Sequence, residues 1–304
     1  MKIGRVSMSR RELMQDGLGV GLGFAAAAIA GGAITPVSAS DAFKDLPATP
    51  RLPALFVGHG SPMNAITDNS YSREWRKIGD SLPTPSAILC VSAHWMTRGT
   101  TLVHVGARPK TIHDFGGFPQ ALYDAQYPAP GAPDVAKATI ELVRASHIKG
   151  DTEWGLDHGA WSVLIKMFPK ADIPVFQLSL DLAKPPSEHF ALAQELKPLR
   201  EKGVLIVGSG NIVHNLMALS RGGQAYDWAE DFDARAAKAI GERDFRALAK
   251  PLSLARTLPL AHPTLEHYLP VLFPSAVADD KDELSFFNAG IEMGSISMRS
   301  FLLG

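Results

Sequence analysis

The sequence predicts an α/β domain, a single mixed β-sheet flanked by helices, and two observations carry that reading. Short apolar runs alternate with amphipathic helical stretches along the chain, the pattern of a layered α/β domain. The last two runs, 284–288 and 295–301, look like antiparallel neighbours and the spacing of the others is uneven, so a purely parallel sheet is not expected. The other runs read as strands are 54–57, 87–92, 101–105, 174–180 and 204–207.

Helices fill the intervals. Pro133 opens a pattern running to residue 146, with apolar residues at Val135, Ala138, Leu142 and Val143, and proline suits a first helical turn. Ser187 is read as the cap of a helix over 187–202, and 226–249 as one long helix or a broken pair. The Pro/Gly-rich connection 108–133, interrupted by a short helical piece near Gln120, has the length of a functional loop.

With 304 residues, 46% of them hydrophobic, the chain can bury a substantial core. Its 30 basic and 31 acidic residues leave a net charge of -1, without the basic excess of a nucleic-acid binder. A small molecule is the expected partner. The single cysteine, Cys90, sits in a strand run and reads as a small buried residue.

Residues 1–39 have the form of a secretory signal: paired Arg10 and Arg11, a Gly/Ala-rich apolar middle, and the small-residue ending Val37-Ser38-Ala39. The two arginines make it resemble a twin-arginine signal, an address read by the Tat export machinery. The expectation is a periplasmic protein without a stable membrane anchor, because the segment is too glycine-rich for a spanning helix of about 20 residues. A polar linker, 40–52, then leads to the folded domain, 53–304.

The placement of the ten histidines carries the functional reading. His59, His94 and His214 each follow a strand run. Ligands of open α/β sheets bind beyond the carboxyl ends of the strands, so the three are expected to converge. His267 opens a later apolar segment beside Glu266, and imidazole with carboxylate suits iron or zinc. His158 follows Asp157, which can either orient an acid–base imidazole or cap a helix. His113 lies in the long loop among glycines and phenylalanines able to rim a flat ring. His104, His147 and His189 fall in ordinary patterns and carry no expected role, and His262 has none defined. Gly208 and Gly210 flank a serine after a strand, but no phosphate-loop lysine follows.

Five segments occur in order: Gly58-His59-Gly60-Ser61-Pro62-Met63-Asn64, Ser92-Ala93-His94-Trp95, Ile112-His113-Asp114-Phe115-Gly116-Gly117-Phe118-Pro119, Trp154-Gly155-Leu156-Asp157-His158-Gly159 and Gly210-Asn211-Ile212-Val213-His214-Asn215. With the ending Gly290-Ile291-Glu292-Met293-Gly294-Ser295-Ile296-Ser297-Met298, they resemble the 4,5-DOPA extradiol dioxygenase group of the class III extradiol (LigB-like) superfamily. The likeness runs from about residue 52 to the C-terminus.

This resemblance implies a LigB-like catalytic domain acting on a catechol and O2, with Fe(II) for ring opening and Zn(II) a frequent occupant. The product would be a muconic semialdehyde. By the family pattern His59, His94, His214 and His267 match metal positions, His158 an acid–base position, and His113 is expected at the substrate. Related enzymes use a glutamate ligand and a histidine base, which leaves His214 as ligand or base and Glu266 as ligand or neighbour. Leu265 departs from the proline common in close relatives. Two other readings remain at this point, a zinc hydrolase with a metal-activated water and a periplasmic metal carrier. Phe115, Phe118, Trp95, Trp154 and Tyr268 near the motifs favour a site that holds a ring.

Overall fold

The computed structural model describes residues 41–220 and 222–304, and the expected signal segment lies outside them. These residues belong to one compact unit. Its centre is a six-stranded sheet of β1 (Ala54–Gly58), β2 (Ala87–Ser92), β3 (Val175–Gln177), β4 (Val204–Gly210), β5 (Leu284–Phe287) and β6 (Ser300–Leu303), in the order β5-β6-β1-β4-β2-β3. The run β1-β4-β2-β3 is parallel. β6 lies antiparallel to both β1 and β5, so the sheet is mixed, as the late strands suggested.

Buried on both faces, the parallel strands are apolar along most of their length, with Ser92, Gln177 and Ser209 only at their carboxyl ends. Successive residues serve opposite layers. Phe56, Leu89 and Ile206 pack with Phe190 of α4 (Pro186–Glu195) and Phe232 of α5 (Asp227–Gly241). Leu55, Ile88 and Leu205 pack with Trp75 of α1 (Ser70–Ser81) and Trp161 of α3 (His158–Met167), while the helix expected from Pro133 is α2 (Pro133–Leu142). Each such large side chain contributes about 1.5–3 kcal/mol by leaving water.

Several boundaries differ from expectation. The run 174–180 is divided, its end Leu180–Asp181 pairing with Met96–Thr97 outside the main sheet. Thr101–His104 likewise pairs with Ile148–Asp151. The run 295–301 breaks before β6, with Ile296–Ser297 turning to pair with Ile291–Glu292. Helix α4 starts at Pro186 with Pro185 in the cap position, so Ser187 lies inside the first turn and caps nothing. The stretch 226–249 is a broken pair, α5 and Phe245–Leu248, separated where Arg243 adopts a left-handed φ of 57°. Residues expected as linker dock on the domain, where Thr49 and Leu52 donate backbone hydrogen bonds to Glu201 and Arg200 (2.8 Å each).

Arg200 is the fold's buried tie. Its guanidinium donates to both oxygens of Asp282 (2.7 and 2.9 Å) and to the carbonyls of Leu52, Val277 and Leu303. The start of β1, the end of β6 and the 277–282 turn are thereby held together. Among the described residues no helix is long and apolar enough to cross a membrane.

Candidate active site

β1, β4 and β2 are adjacent, and their carboxyl ends are in register: Gly58 lies opposite Gly210, and Ser209 opposite Ser92. His59 follows β1 directly and His94 stands two residues past β2, so both emerge at the same edge of the sheet. The backbone fixes them there, with His59 N donating to Gly210 O (3.1 Å) and Ala93 N to Ser209 O (3.0 Å).

His267 arrives from a distant segment, and a glycine explains how. A Cβ at Gly210 would stand 2.2 Å from His267 O, a contact that only glycine permits. Asn211 N then donates to that carbonyl (2.8 Å). The glycines of the Gly-Ser-Gly stretch are therefore landing sites for the 267–270 segment rather than a phosphate cradle. Gly159 plays the same part at the start of α3, where a Cβ would meet Ser92 Oγ at 2.4 Å and the His94 ring at 2.9 Å.

The imidazoles of His59, His94 and His267 form a near-equilateral triangle, with ring centroids 5.2, 5.3 and 5.0 Å apart. Each offers a donor atom within 4.8 Å of the others. Contacts on the far side of each ring, hydrogen bonds for His59 and His267 and a facing carboxylate for His94, favour a proton on Nδ1. Ser209 Oγ donates to Gly159 O (2.5 Å), so it accepts from His59 Nδ1 (3.0 Å). His267 Nδ1 donates to Glu266 Oε1 (3.2 Å), and His94 Nδ1 faces Asp114 Oδ2 at 3.3 Å. In those tautomers all three Nε2 atoms carry a lone pair available to a ligand.

Two of them point at each other, His59 Nε2 and His94 Nε2 lying 3.3 Å apart. Unbridged lone pairs repel at that distance. Nitrogens about 2.0–2.1 Å from one ion, set between right and tetrahedral angles, stand about 2.8–3.4 Å apart. The residues therefore fit a transition metal, held by three neutral nitrogens with carboxylate, hydroxyl and carboxylate behind them.

Burial keeps these rings neutral. His59 and His267 are pushed well below the ordinary histidine range, first by burial and then by neighbouring imidazoles. Burial likewise lowers His94 and His214 to about 4. Neutral imidazole is the form that ligates. Burial raises the Asp114 carboxyl, but the His158 and His94 contacts outweigh it and hold the group below its usual range.

His214, one of the four expected metal positions, stands beside the triangle. Its ring stacks on His267 with centroids 3.5 Å apart and planes 5° from parallel. Its donor atom also lies within 4.8 Å of those of His267 and Glu266, a second group able to hold a metal, so His214 stands where either a ligand or a base could act. His158 completes the group from the other side, 3.8 Å from His94 by ring centroids. Its partner is Asp114 rather than Asp157. Asp157 caps α3 and faces inward, accepting from Ser92 Oγ (2.6 Å), Ala160 N and Gln177 Nε2 (2.8 Å).

The chain matches the family described as the catalytic LigB subunit of aromatic ring-opening dioxygenase over residues 53–279. It is 47% identical to a 4,5-DOPA dioxygenase extradiol of Escherichia coli over 84% of this chain and 95% of that protein. A protein of the same name from Beta vulgaris is 37% identical, over 81% of this chain and 94% of the relative. A solved structure of an uncharacterized Escherichia coli protein superposes with a TM-score of 0.72 at 41% identity, covering 84% of this chain and 100% of that one.

The chain belongs to the LigB family.

A LigB-family chain of this likeness is a ring-cleaving, metal-dependent dioxygenase, which decides against the hydrolase and the carrier. The remaining expected residues can now be placed. His113 lies one ring away from the cluster: its Nε2 is engaged by Ala125 O (2.9 Å), and Phe115 contacts both it and His158 (5.7 and 5.5 Å between centroids). Tyr268 is a core residue donating to Leu248 O (2.9 Å), and His262 is buried with its Nε2 on Ile212 O (2.7 Å). Cys90 is buried, as expected.

Asp114 and Ser209 were not among the expected site residues. Asp114 sits next to His113 inside a quoted motif, and Ser209 lies between two glycines at a strand end. Those positions were the available signals.

Proposed function

We propose that this LigB-family enzyme opens the ring of a substituted catechol, DOPA-like or related, beside its two hydroxyls. The triangle of free Nε2 atoms on His59, His94 and His267, with two further imidazoles against it, carries this reading. Iron(II) is the proposed metal for turnover, and zinc(II) a competing occupant of the same nitrogens. When bound, the metal supplies Lewis acidity to the two catechol oxygens and an electron path to dioxygen.

The chain's own residues handle protons and shape. His214, held neutral against His267, accepts a phenolic proton, while His158 on the opposite flank serves as the acid. Phe115 and Phe118, in edge contact at 5.4 Å, wall the His158 side and exclude water from the ring. His113 braces that wall from behind. A cavity of about 520 Å³ beside Glu266 is lined by Met96, Arg98, Leu182, Lys184 and Leu265 and has room for a ring substituent. The names of the Escherichia coli and Beta vulgaris relatives agree with a DOPA-like substrate. We further propose export through the Tat route to the periplasm, which a reporter fused after residue 39 tests: cytoplasmic retention would sink it.

The test of substrate class is a catechol panel, including L-DOPA, given to apoprotein reloaded anaerobically with iron(II) or zinc(II). Yellow ring-fission product with iron and none with zinc supports the reading. No ring fission from any catechol by the iron-loaded protein overturns it.

A further inference from the structure

Asp114 stands at the centre of a contact pattern with a chemical consequence. Its Oδ2 lies 3.0 Å from His158 Nδ1 and 3.3 Å from His94 Nδ1, so one oxygen faces both rings. Its Oδ1 accepts a hydrogen bond from the backbone N–H of His158 (2.8 Å). His158 Nδ1 is buried and makes no hydrogen bond, so the carboxylate 3.0 Å away acts on it through charge. A single carboxylate thus spans a proposed metal ligand and a proposed acid, and it comes from the long 108–133 loop rather than from the sheet.

We infer that Asp114 is a positioning residue: one carboxylate oxygen, facing the Nδ1 of both His94 and His158, favours the tautomer that carries its proton on Nδ1 in each ring and leaves their Nε2 atoms free for metal and substrate. The inference rests on the proposed metal site, because the free Nε2 of His94 has its purpose there. Without an acceptor at that point, either ring could take the opposite tautomer, whose Nε2–H cannot ligate.

The backbone contact makes the test unusually sharp. In Asp114→Asn the side-chain oxygen must stay on the His158 N–H, because an amide NH2 cannot accept that bond. The NH2 then occupies the Oδ2 position and presents donors to both Nδ1 atoms. That demands an unprotonated Nδ1 and places the proton on Nε2, the inverted tautomer. Asp114→Ala removes the acceptor without supplying a wrong donor. A merely structural role predicts the opposite ranking, since asparagine preserves shape and the backbone bond while alanine loses both.

The experiment measures zinc(II) affinity by chelator competition on the full-length wild type and both variants, with ring-nitrogen NMR on the zinc-loaded proteins. Asp114→Asn is expected to bind zinc about 10–100-fold more weakly than wild type, the range typical of lost outer-shell partners, and more weakly than Asp114→Ala. In wild type the His94 Nδ1 should carry the proton. Asparagine binding zinc as wild type does, or better than alanine, would overturn the inference while leaving the metal site standing. A wild-type chain that binds no zinc through these histidines overturns the metal reading and this inference with it. Because neither readout requires turnover, a failed substrate panel does not affect them.

Discussion

His59 and His94 face each other through their Nε2 atoms at 3.3 Å, each with its Nδ1 turned to an acceptor behind it. Two lone pairs so placed make a cation the simplest occupant of the gap. His267 supplies the third corner.

Replacing any corner removes a donor. His59→Ala, His94→Ala and His267→Ala are each expected to weaken metal binding by more than about 100-fold, beyond the usual loss for an outer-shell partner. With His214 proposed as the base and the metal on the other three rings, His214→Ala should keep its metal and lose ring-opening activity. Metal content by elemental analysis, beside turnover with iron(II), separates the two classes. A His214→Ala protein that loses its metal contradicts the three-nitrogen assignment.

Ser209 links the sheet to the site by passing its proton to Gly159 O while accepting from His59. Ser209→Ala should weaken zinc binding about 10–100-fold. It should also lower stability by about 1–3 kcal/mol, because two buried polar groups lose their partner. Chelator competition and urea denaturation measure the two effects separately.

The Arg200–Asp282 pair is fully buried and tied to three carbonyls. Arg200→Met takes the bidentate guanidinium from the buried Asp282, leaving it Arg51 (3.1 Å), and strands three carbonyls; it is expected to cost about 3 kcal/mol. A urea midpoint unchanged from wild type would contradict the tie.

Acid should destabilise the fold through histidines away from the metal. Burial lowers His189 from 6.5 to about 4, with its backbone bond to Asp181 partly opposing the shift. The folded pKa lies below the unfolded one, so the unfolded state binds more protons between the two. The stabilising contribution is therefore full above pH 6.5 and is lost as pH falls towards about 4. It amounts to roughly 3 kcal/mol. His189→Gln should flatten the decline of urea midpoint over that window.

Much of this was legible before the structure. The strand runs and the histidines after them were readable because a buried parallel strand must be apolar and its carboxyl end is where ligands collect. The meeting of His267 with His59 and His94 was readable only as a resemblance, since it depends on Gly210 admitting a segment far away in sequence. Asp157, adjacent to His158, was readable either as its orienting partner or as a helix cap, and it is the cap. A cap residue turns its carboxylate back onto the helix start, and the loop supplied Asp114 instead. Ser187 failed as a cap for a similarly local reason, because Pro186 already occupies the first helical position. Arg243 hid the helix break, as nothing in its side chain announces a left-handed backbone.

The central claim is that these residues serve a metal-dependent ring-opening dioxygenase. The most direct measurement loads the protein with iron(II), supplies a catechol under heavy-isotope dioxygen, and weighs the product. A ring-opened product carrying both oxygen atoms from the gas is expected, formed with iron and absent from His94→Ala. A product carrying oxygen from water alone, or formed equally well with zinc, would contradict the claim.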